Sequence, residues 1–223
     1  MSEHVPCADL LAKEAALYDI LRGLERVAVA LSGGVDSSYL LAAAVAALGR
    51  EQVLAMTAES PFFPGDEAAL SRRVAASLGV EHRMLPFDDL ANPEVASNPV
   101  DRCYHCKRAR FGLLRDLAAA ADGAVLVHGE NADDHLQYRP GSAAAREVGA
   151  RAPLAEAGLV AVGHRARLVE QLACGRGAGL HVGELEGDRL VVDDRLAEGD
   201  PLLGVAGRVV DRALGDPDRL GAG

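Results

Sequence analysis

The sequence of 223 residues lacks any hydrophobic run long enough to cross a membrane. Its longest uninterrupted apolar stretch, residues 40–48, is far shorter than the roughly 20 residues that a membrane helix needs. The N-terminus carries Glu3, Asp9 and Glu14 and lacks the basic region and apolar stretch of a secretory signal. We therefore expect a cytoplasmic protein with no membrane partner.

Cysteine and positive charge are also scarce. Four cysteines do not make a disulfide scaffold in a chain of this size. The 23 Lys and Arg residues are outnumbered by 33 Asp and Glu, which gives a net charge of −10. This balance argues against non-specific nucleic-acid binding and leaves room only for a local basic patch. With 49% hydrophobic and 25% charged residues, the composition is that of a soluble protein with one domain, or one domain and an appendage.

Short apolar runs alternate with helical patterns through the first two thirds of the chain. Strands are predicted at 26–31, 52–57, 82–87 and 124–129, and helices at 8–22, 39–48, 66–79, 105–121 and 142–149. This alternation predicts an α/β fold with a parallel sheet flanked by helices on both faces. Residues 88–102, which include Pro93 and Pro99, have no periodicity, so we expect a lid, a binding loop or a disordered segment there.

The composition changes at about Gly158. The last 66 residues contain no Ser, Thr, Asn, Lys, Ile, Met, Phe or Tyr, and they hold 13 of the 24 glycines. We therefore divide the chain into a domain at 1–157 and an irregular tail at 158–223. Apart from Cys174, every tail residue can be encoded by a codon that begins with G or C. Two explanations stay open: a divergent C-terminus, or a reading frame lost between about Leu159 and Cys174.

The strongest motif is a glycine- and serine-rich loop between the first predicted strand and the following helix. Two glycines let backbone amides approach an anion closely, and two serines add hydroxyl donors at a helix N-terminus, where the dipole favours negative charge. No lysine follows the glycines, so this is not a Walker A loop. The predicted phosphate-binding residues are Ser32, Gly33, Gly34, Val35, Asp36, Ser37 and Ser38.

This loop resembles the PP-loop of the ATP pyrophosphatases, which include NAD and GMP synthetases, argininosuccinate synthetase and the tRNA thiolases. The resemblance implies a Rossmann-like, HUP-type fold and cleavage of ATP to AMP and pyrophosphate, with Mg²⁺ neutralising the leaving group. Asp36 would organise the loop or the metal, or stabilise the helix N-terminus, and both roles can hold. The resemblance also places Thr57, after the second strand, beside the adenine.

Three later segments, residues 98–107, 129–141 and 151–158, together with the loop closely resemble the LarE family, the ATP-dependent sulfur transferases of nickel-pincer cofactor synthesis. The resemblance implies adenylation of a carboxylate of a pyridinium biscarboxylic acid mononucleotide, attack by a sulfur nucleophile and departure of AMP. In one form of the family a protein cysteine gives up its sulfur, and in another three cysteines hold an iron–sulfur cluster. It also implies a homo-oligomer.

Candidate residues in these segments follow from their positions. Gly129 and Asn131 end the fourth predicted strand at the ligand edge, so they are expected to contact nucleotide or substrate. Asp133 or Asp134 would hold Mg²⁺, unless the pair serves only as a turn or helix cap. Arg139, a candidate catalytic residue, and Arg151 would clamp a phosphate or carboxylate, and surface ion pairing is the alternative. These candidates are Gly129, Asn131, Asp133, Asp134, Arg139 and Arg151.

Cys103 and Cys106 form a CxxC pair at the entry to a helix, among Arg and Lys residues. That setting lowers a thiol pKa, and two cysteines can share a metal or a cluster if further ligands exist. Buried or incidental thiols are the alternative. The family's sulfur-bearing cysteine lies beyond residue 160 and is followed by Ser-Arg. Here Cys174 occupies that region, in the unmatched context ACGRGAG. Two alternatives stay open: Cys174 is the candidate catalytic sulfur donor, or the donor is lost and Cys174 is there by coincidence.

Other functions compete with sulfur transfer to a small nucleotide. A tRNA thiolase of the TtcA kind also joins a PP-loop to CxxC, but it would need a basic surface for a polyanion. An ATP-binding remnant with an incomplete site would bind nucleotide and release no pyrophosphate. An amide former similar to NAD synthetase would leave the CxxC pair unexplained.

Overall fold

The computed structural model describes residues 7–60, 65–136, 140–160, 182–186 and 189–192. Its main sheet is parallel throughout and has the order β3-β2-β1-β4. The strands of this sheet are β1 (Val27–Ala30), β2 (Val53–Glu59), β3 (Glu81–Pro86) and β4 (Val125–His128). A separate antiparallel hairpin pairs β5 (Val182–Glu186) with β6 (Arg189–Val192).

Seven α-helices are described in these ranges. They are α1 (Cys7–Leu24), α2 (Val35–Leu48), α3 (Gly65–Ser77), α4 (Pro93–Ala96), α5 (Arg102–Ala120), α6 (Pro140–Glu147) and α7 (Pro153–Glu156). Short 3₁₀ turns occupy Arg50–Gln52, Asp89–Ala91 and Ala132–Leu136. No helix in the described ranges has both the length and the hydropathy needed to cross a membrane.

Both faces of the sheet are buried. In β1, Val27 and Val29 join a core cluster with residues of α1, α2 and α3, whereas Ala28 faces a second cluster with α5 and α6. Because every strand position of β1 is covered, the strand is apolar without alternation, as is usual for a parallel strand between two helix layers. Leu159 is fully buried in the first cluster, so the packing of this domain continues through that residue.

The predicted architecture is confirmed: a parallel sheet with helices on both faces, its strands and long helices within four residues of the expected positions. Of the three alternatives expected for residues 88–102, a lid, a binding loop or a disordered segment, the disordered one is wrong. That segment contains a 3₁₀ turn and α4, and the buried carboxylate of Asp89 anchors it to Arg110 of α5. In the tail, the described hairpin is a regular element that the composition did not predict.

Candidate functional site

A cavity of about 1020 Å³ opens at the carboxyl edge of the parallel sheet, where open α/β folds bind their ligands. Its lining includes residues of the loop after β1, of the ends of β2 and β4, and of α5. The cavity brings together the predicted residues Ser32, Gly34, Val35, Asp36, Ser37, Thr57, Cys103, Gly129, Asn131, Asp133 and Asp134.

The phosphate loop is held in shape by its own hydroxyl groups. The amide of Gly34 donates to Ser32 Oγ at 3.3 Å, and the hydroxyl of Ser37 donates to the carbonyl of Gly34 at 3.0 Å. Ser32 Oγ lies 3.1 Å from Ser37 Oγ and donates to it, because the Ser37 proton is already used. The loop is therefore preorganised before any ligand binds.

This arrangement corrects the expected role of the serine hydroxyls. Ser38 is fully buried and donates to the Gly34 carbonyl at 2.8 Å, so its hydroxyl serves the loop rather than an anion. The first backbone amides of α2 have no intrahelical acceptors, so they are the donors that this loop offers to a ligand. Gly34 is the N-cap of that helix and provides no side-chain cap.

Gly33 lies outside the residues that line the cavity and has a packing role. Its φ of +82° is in the left-handed region, and a Cβ there would lie 2.8 Å from the carbonyl oxygen of Glu67. The glycine therefore lets α3 pack directly against the loop.

Gly129 and Asn131 join the end of β4 to the start of α2. A Cβ on Gly129 would lie 2.7 Å from the Ser37 amide nitrogen, a distance that real Cβ atoms essentially never show. Asn131 Nδ2 donates to Asp36 Oδ2 at 2.8 Å, and Asn131 Oδ1 accepts from the amide of Asp133 at 3.0 Å. The amide of Asn131 in turn donates to Asp134 Oδ2 at 3.2 Å. Asn131 therefore orients Asp36 at the mouth of the phosphate loop.

Thr57 is fixed between two partners at the end of β2. Its hydroxyl donates to the Leu31 carbonyl at 2.7 Å, and its Oγ1 lies 2.8 Å from His82 Nε2. Because the single Thr57 proton is used on Leu31, His82 must donate through Nε2. Burial, with a smaller contribution from the charge of Arg72, lowers the pKa of His82. The neutral Nε2–H tautomer satisfies this geometry.

Carboxylates dominate the lining of the cavity. Six acidic side chains and two basic ones, Lys107 and Arg110, contribute to it. Within the described ranges, no three His, Cys, Asp or Glu side chains are grouped closely enough to hold a metal ion. The chemistry of the donors nevertheless suits Mg²⁺, which typically takes one or two carboxylates and completes its shell with phosphate and water oxygens.

The two cysteines of the CxxC pair have different environments. Cys103 is exposed and lines the cavity, whereas Cys106 donates its Sγ–H to Asp89 Oδ1 at 3.0 Å. Burial and that hydrogen bond raise the pKa of the Cys106 thiol to about 11. The expectation that cations and the helix N-terminus would favour a thiolate is therefore wrong for Cys106, because burial and the hydrogen bond to Asp89 outweigh the charge of Arg110.

Asp89 is the centre of a buried polar cluster beside the cavity. Asp89 is buried, and its carboxylate accepts from Arg110 Nη2 at 2.7 and 2.9 Å, from Ser60 Oγ and from Cys106. Burial opposes its ionisation, but the hydrogen bonds from Cys106, Ser60 and Arg110 prevail and lower its pKa. Sequence reasoning missed this cluster. The only available signal was an acidic residue in an aperiodic segment, and such residues are common on surfaces.

The remaining predicted residues are Arg139, Arg151 and Cys174. Arg139 and Cys174 lie outside the described residues. Arg151 pairs with Glu156, with Nε 2.8 Å from Oε1, which corresponds to the ion-pairing alternative.

The sequence is similar to those of several known proteins. The profile of the family described as asparagine synthase matches residues 12–135. An uncharacterized protein of Synechocystis sp. is 40% identical over 133 residues, which cover 60% of this chain and 49% of that protein. The pyridinium-3,5-bisthiocarboxylic acid mononucleotide synthase of Lactiplantibacillus plantarum is 37% identical over 150 residues, covering 67% of this chain and 54% of the synthase. The chain thus spans about half the length of these curated relatives.

The fold has a counterpart among solved structures. A glutamine-dependent NAD⁺ synthetase from Acinetobacter baumannii, determined in complex with ADP, superposes with a TM-score of 0.57 at 22% sequence identity. The match covers 76% of this chain and 34% of the synthetase. At this identity the likeness bears on the fold alone.

Proposed function

The chain belongs to the asparagine synthase family, and from this membership we propose that it binds ATP in the cavity and adenylates a carboxylate for sulfur transfer. The acceptor that we propose is a pyridinium biscarboxylic acid mononucleotide, and the product is its thiocarboxylate. Similarity to a pyridinium bisthiocarboxylate synthase supports the choice of acceptor. The observation that carries the proposal is the single cavity that joins the phosphate loop, the Asp36–Asn131 pair and Cys103.

In this proposal the start of α2 binds the phosphates that leave as pyrophosphate. The backbone amides of Val35, Asp36 and Ser37 provide donors at the positive end of the helix dipole. The internal hydrogen bonds of the loop hold these donors in place, so that little reorganisation is needed when charge develops on the leaving group.

Asp36 and Asp133 would hold Mg²⁺ together with the phosphate oxygens. Both carboxylates line the cavity, and Asn131 contacts the side chain of the first and the backbone of the second. The ion, when bound, would neutralise the negative charge of the departing pyrophosphate.

The reaction balances as two displacements and, for a cysteine donor, one elimination. A carboxylate oxygen of the acceptor attacks the α-phosphorus, and the bond from that phosphorus to the bridging β-phosphate oxygen breaks and releases pyrophosphate. The thiolate of the donor then attacks the acyl carbon, and AMP leaves with the oxygen that joined it. The product of this step is an acyl–cysteine thioester. A base removes the Cα proton of that cysteine, the Cβ–Sγ bond breaks, and the thiocarboxylate leaves with the sulfur while dehydroalanine stays in the chain. Cys174 stays the predicted donor, and Arg139 a predicted catalytic residue.

The described cysteines do not fit an iron–sulfur cluster. Cys103 and Cys106 are the cysteines whose side chains are described, and Cys106 is a thiol hydrogen-bonded to Asp89. A cluster needs thiolate ligands, commonly four. The proposed reaction therefore uses no iron–sulfur cluster. The cytoplasmic location and the homo-oligomer stay predictions.

The proposal is tested by pyrophosphate release from the wild-type chain with ATP, Mg²⁺ and the acceptor. We expect acceptor-dependent release, and a loss of at least about 100-fold in Asp36→Ala, because one transition-state contact is typically worth that much. Asp19→Ala is the matched control, since Asp19 lies on the exposed face of α1 and pairs only with Arg22 in the described contacts. Normal release from Asp36→Ala would contradict the assignment of the loop.

Intact-mass spectrometry of the same reactions separates the possible outcomes. A chain that loses the mass of hydrogen sulfide after turnover has given up a cysteine sulfur, and peptide mapping identifies which one. A chain that ATP stabilises thermally, but that releases no pyrophosphate with the acceptor, is an ATP-binding remnant and contradicts the proposal.

A further inference from the structure

The α5 residues of the cavity lining differ in charge from the rest of the lining. Cys103, Lys107 and Arg110 follow one another at helical spacing and all line the cavity. The six acidic side chains of the lining come from other elements. Lys107 and Arg110 are therefore the two basic side chains of the lining among the residues that the structure describes, and both lie on α5.

Contacts with Asp89 and Phe87 hold the side chain of Arg110 in place. Its side chain is 14% exposed, and its Nη2 contacts both oxygens of a carboxylate that is 2% exposed. Its guanidinium carbon lies 5.4 Å from the centroid of the Phe87 ring. Such contacts fix the plane of the guanidinium, which favours recognition of a carboxylate or phosphate with defined geometry.

We infer that Arg110 binds an anionic group of the acceptor substrate, and that Asp89 is the positioning residue that orients its guanidinium into the cavity. The inference deepens the proposed function, on which it rests. A pyridinium nucleotide with two carboxylates is itself an anion. The six carboxylates of the cavity lining would repel it, whereas the two basic side chains of the lining, both on α5, would attract it. Its ring carboxylate at Arg110 would leave the second carboxylate free to face the phosphate loop.

Asp89 has a role that a simple surface partner could not fill. It is buried in the segment between β3 and α5, and it receives hydrogen bonds from Ser60 at the end of β2 and from Cys106 on α5. Three elements thus converge on one carboxylate. Removing the charge of Asp89 would leave the buried charge of Arg110 unbalanced. We expect this to change the direction of the guanidinium and to lower the stability of the fold.

The experiment is calorimetry with pyridine-3,5-dicarboxylate as the acceptor probe, in the presence of a non-hydrolysable ATP analogue and Mg²⁺. We expect the wild type to bind both ligands, and Arg110→Gln to bind the analogue within about twofold while losing at least about tenfold in affinity for the dicarboxylate, the loss of one charge-assisted pair. Arg110→Lys, which keeps the charge without the planar fork, should be intermediate.

Matched variants separate this role from a structural one. Arg115→Gln changes an exposed arginine of the same helix and should bind both ligands as the wild type does. Asp89→Asn should weaken dicarboxylate binding and leave binding of the analogue unchanged. Equal dicarboxylate affinity in Arg110→Gln and wild type, no dicarboxylate binding by the wild type, or parallel loss of both ligands in Arg110→Gln would each overturn the inference.

Calorimetry, together with pyrophosphate-release kinetics, distinguishes this inference from the proposed function. If the wild type binds the dicarboxylate through Arg110 but never releases pyrophosphate with the mononucleotide acceptor, the proposed reaction fails and the anion subsite stands. If pyrophosphate is released normally and Arg110→Gln leaves the KM of the acceptor unchanged, the subsite fails and the proposed reaction stands.

Discussion

Replacing Gly129 by alanine tests how closely β4 and α2 must approach at the phosphate loop. The added Cβ would lie 2.7 Å from the Ser37 amide nitrogen and 2.9 Å from both the Asp36 carbonyl carbon and Ser37 Cα. All three are backbone atoms, so no side chain can rotate away. Forcing one extra carbon into a close-packed site costs about 1–3 kcal/mol, which would lower Tm by roughly 2–12 °C.

The substitution should also reduce nucleotide binding, because the atoms that must move belong to the amides proposed to bind phosphate. ATP with Mg²⁺ at 100 times its Kd stabilises a binding-competent protein by about 2.7 kcal/mol, or roughly 5–11 °C. We expect Gly129→Ala to lose most of that increment. The assay is thermal unfolding followed by circular dichroism, with and without ATP and Mg²⁺.

Gly112→Ala provides the matched control. A Cβ at Gly112, within α5, meets nothing within 4 Å. Because glycine weakens a helix interior, the change should raise stability by about 0.5–1 kcal/mol and leave the nucleotide increment intact. A Gly129→Ala protein with wild-type Tm and a wild-type nucleotide increment would refute the argument.

Three further predictions concern groups next to the site. Gly33→Ala should destabilise the fold by at least about 1 kcal/mol, because Gly33 has a φ of +82° and an added Cβ would contact the Glu67 carbonyl. Gly23→Ala is the control, since a Cβ there would meet open space and should not destabilise the fold. Equal Tm values for the two variants would refute the packing role of Gly33. Because the pKa of His82 is lowered in the folded state, stability should fall as the pH drops below about 6.5, and His82→Gln should lose that dependence in urea unfolding between pH 5 and 8. The pKa of Cys106 is raised to about 11 in the folded state, from the usual thiol pKa of 9.0. The stability that the protonated thiol contributes is therefore fully present below pH 9.0 and is lost as the pH rises towards 11. Cys106→Ser, which keeps a donor for Asp89, should flatten that alkaline decline, and an unchanged decline would count against the thiol–carboxylate bond.

Much of the site was predictable because it depends on local order along the chain. A short apolar strand, two glycines and a helix start are consecutive, so the loop from Ser32 to Ser38 can be recognised without knowledge of distant residues. The ends of parallel strands share one sheet edge, which is why Gly129 and Asn131 could be assigned to the ligand edge. Thr57 was assigned through the resemblance to the ATP pyrophosphatases.

The division of labour among these residues was not predictable. Ser38 and Gly33 both belong to the loop motif. In the structure Ser38 hydrogen-bonds to the Gly34 carbonyl within the loop, whereas Gly33 packs against α3. The CxxC pair was treated as two equivalent thiols, and only folding brings the Asp89 carboxylate to one of them.

Neighbouring residues are sufficient to predict the alternation of strands and helices and the motif at the phosphate loop, because periodicity and turn chemistry are local. The contacts of Asp89 with Arg110 and Cys106, and of Asn131 with Asp36, arise only in the folded chain. Those contacts join residues up to 95 positions apart. They depend on how the helices pack over the sheet, since burial and charge act on a side chain only through the neighbours that folding brings to it.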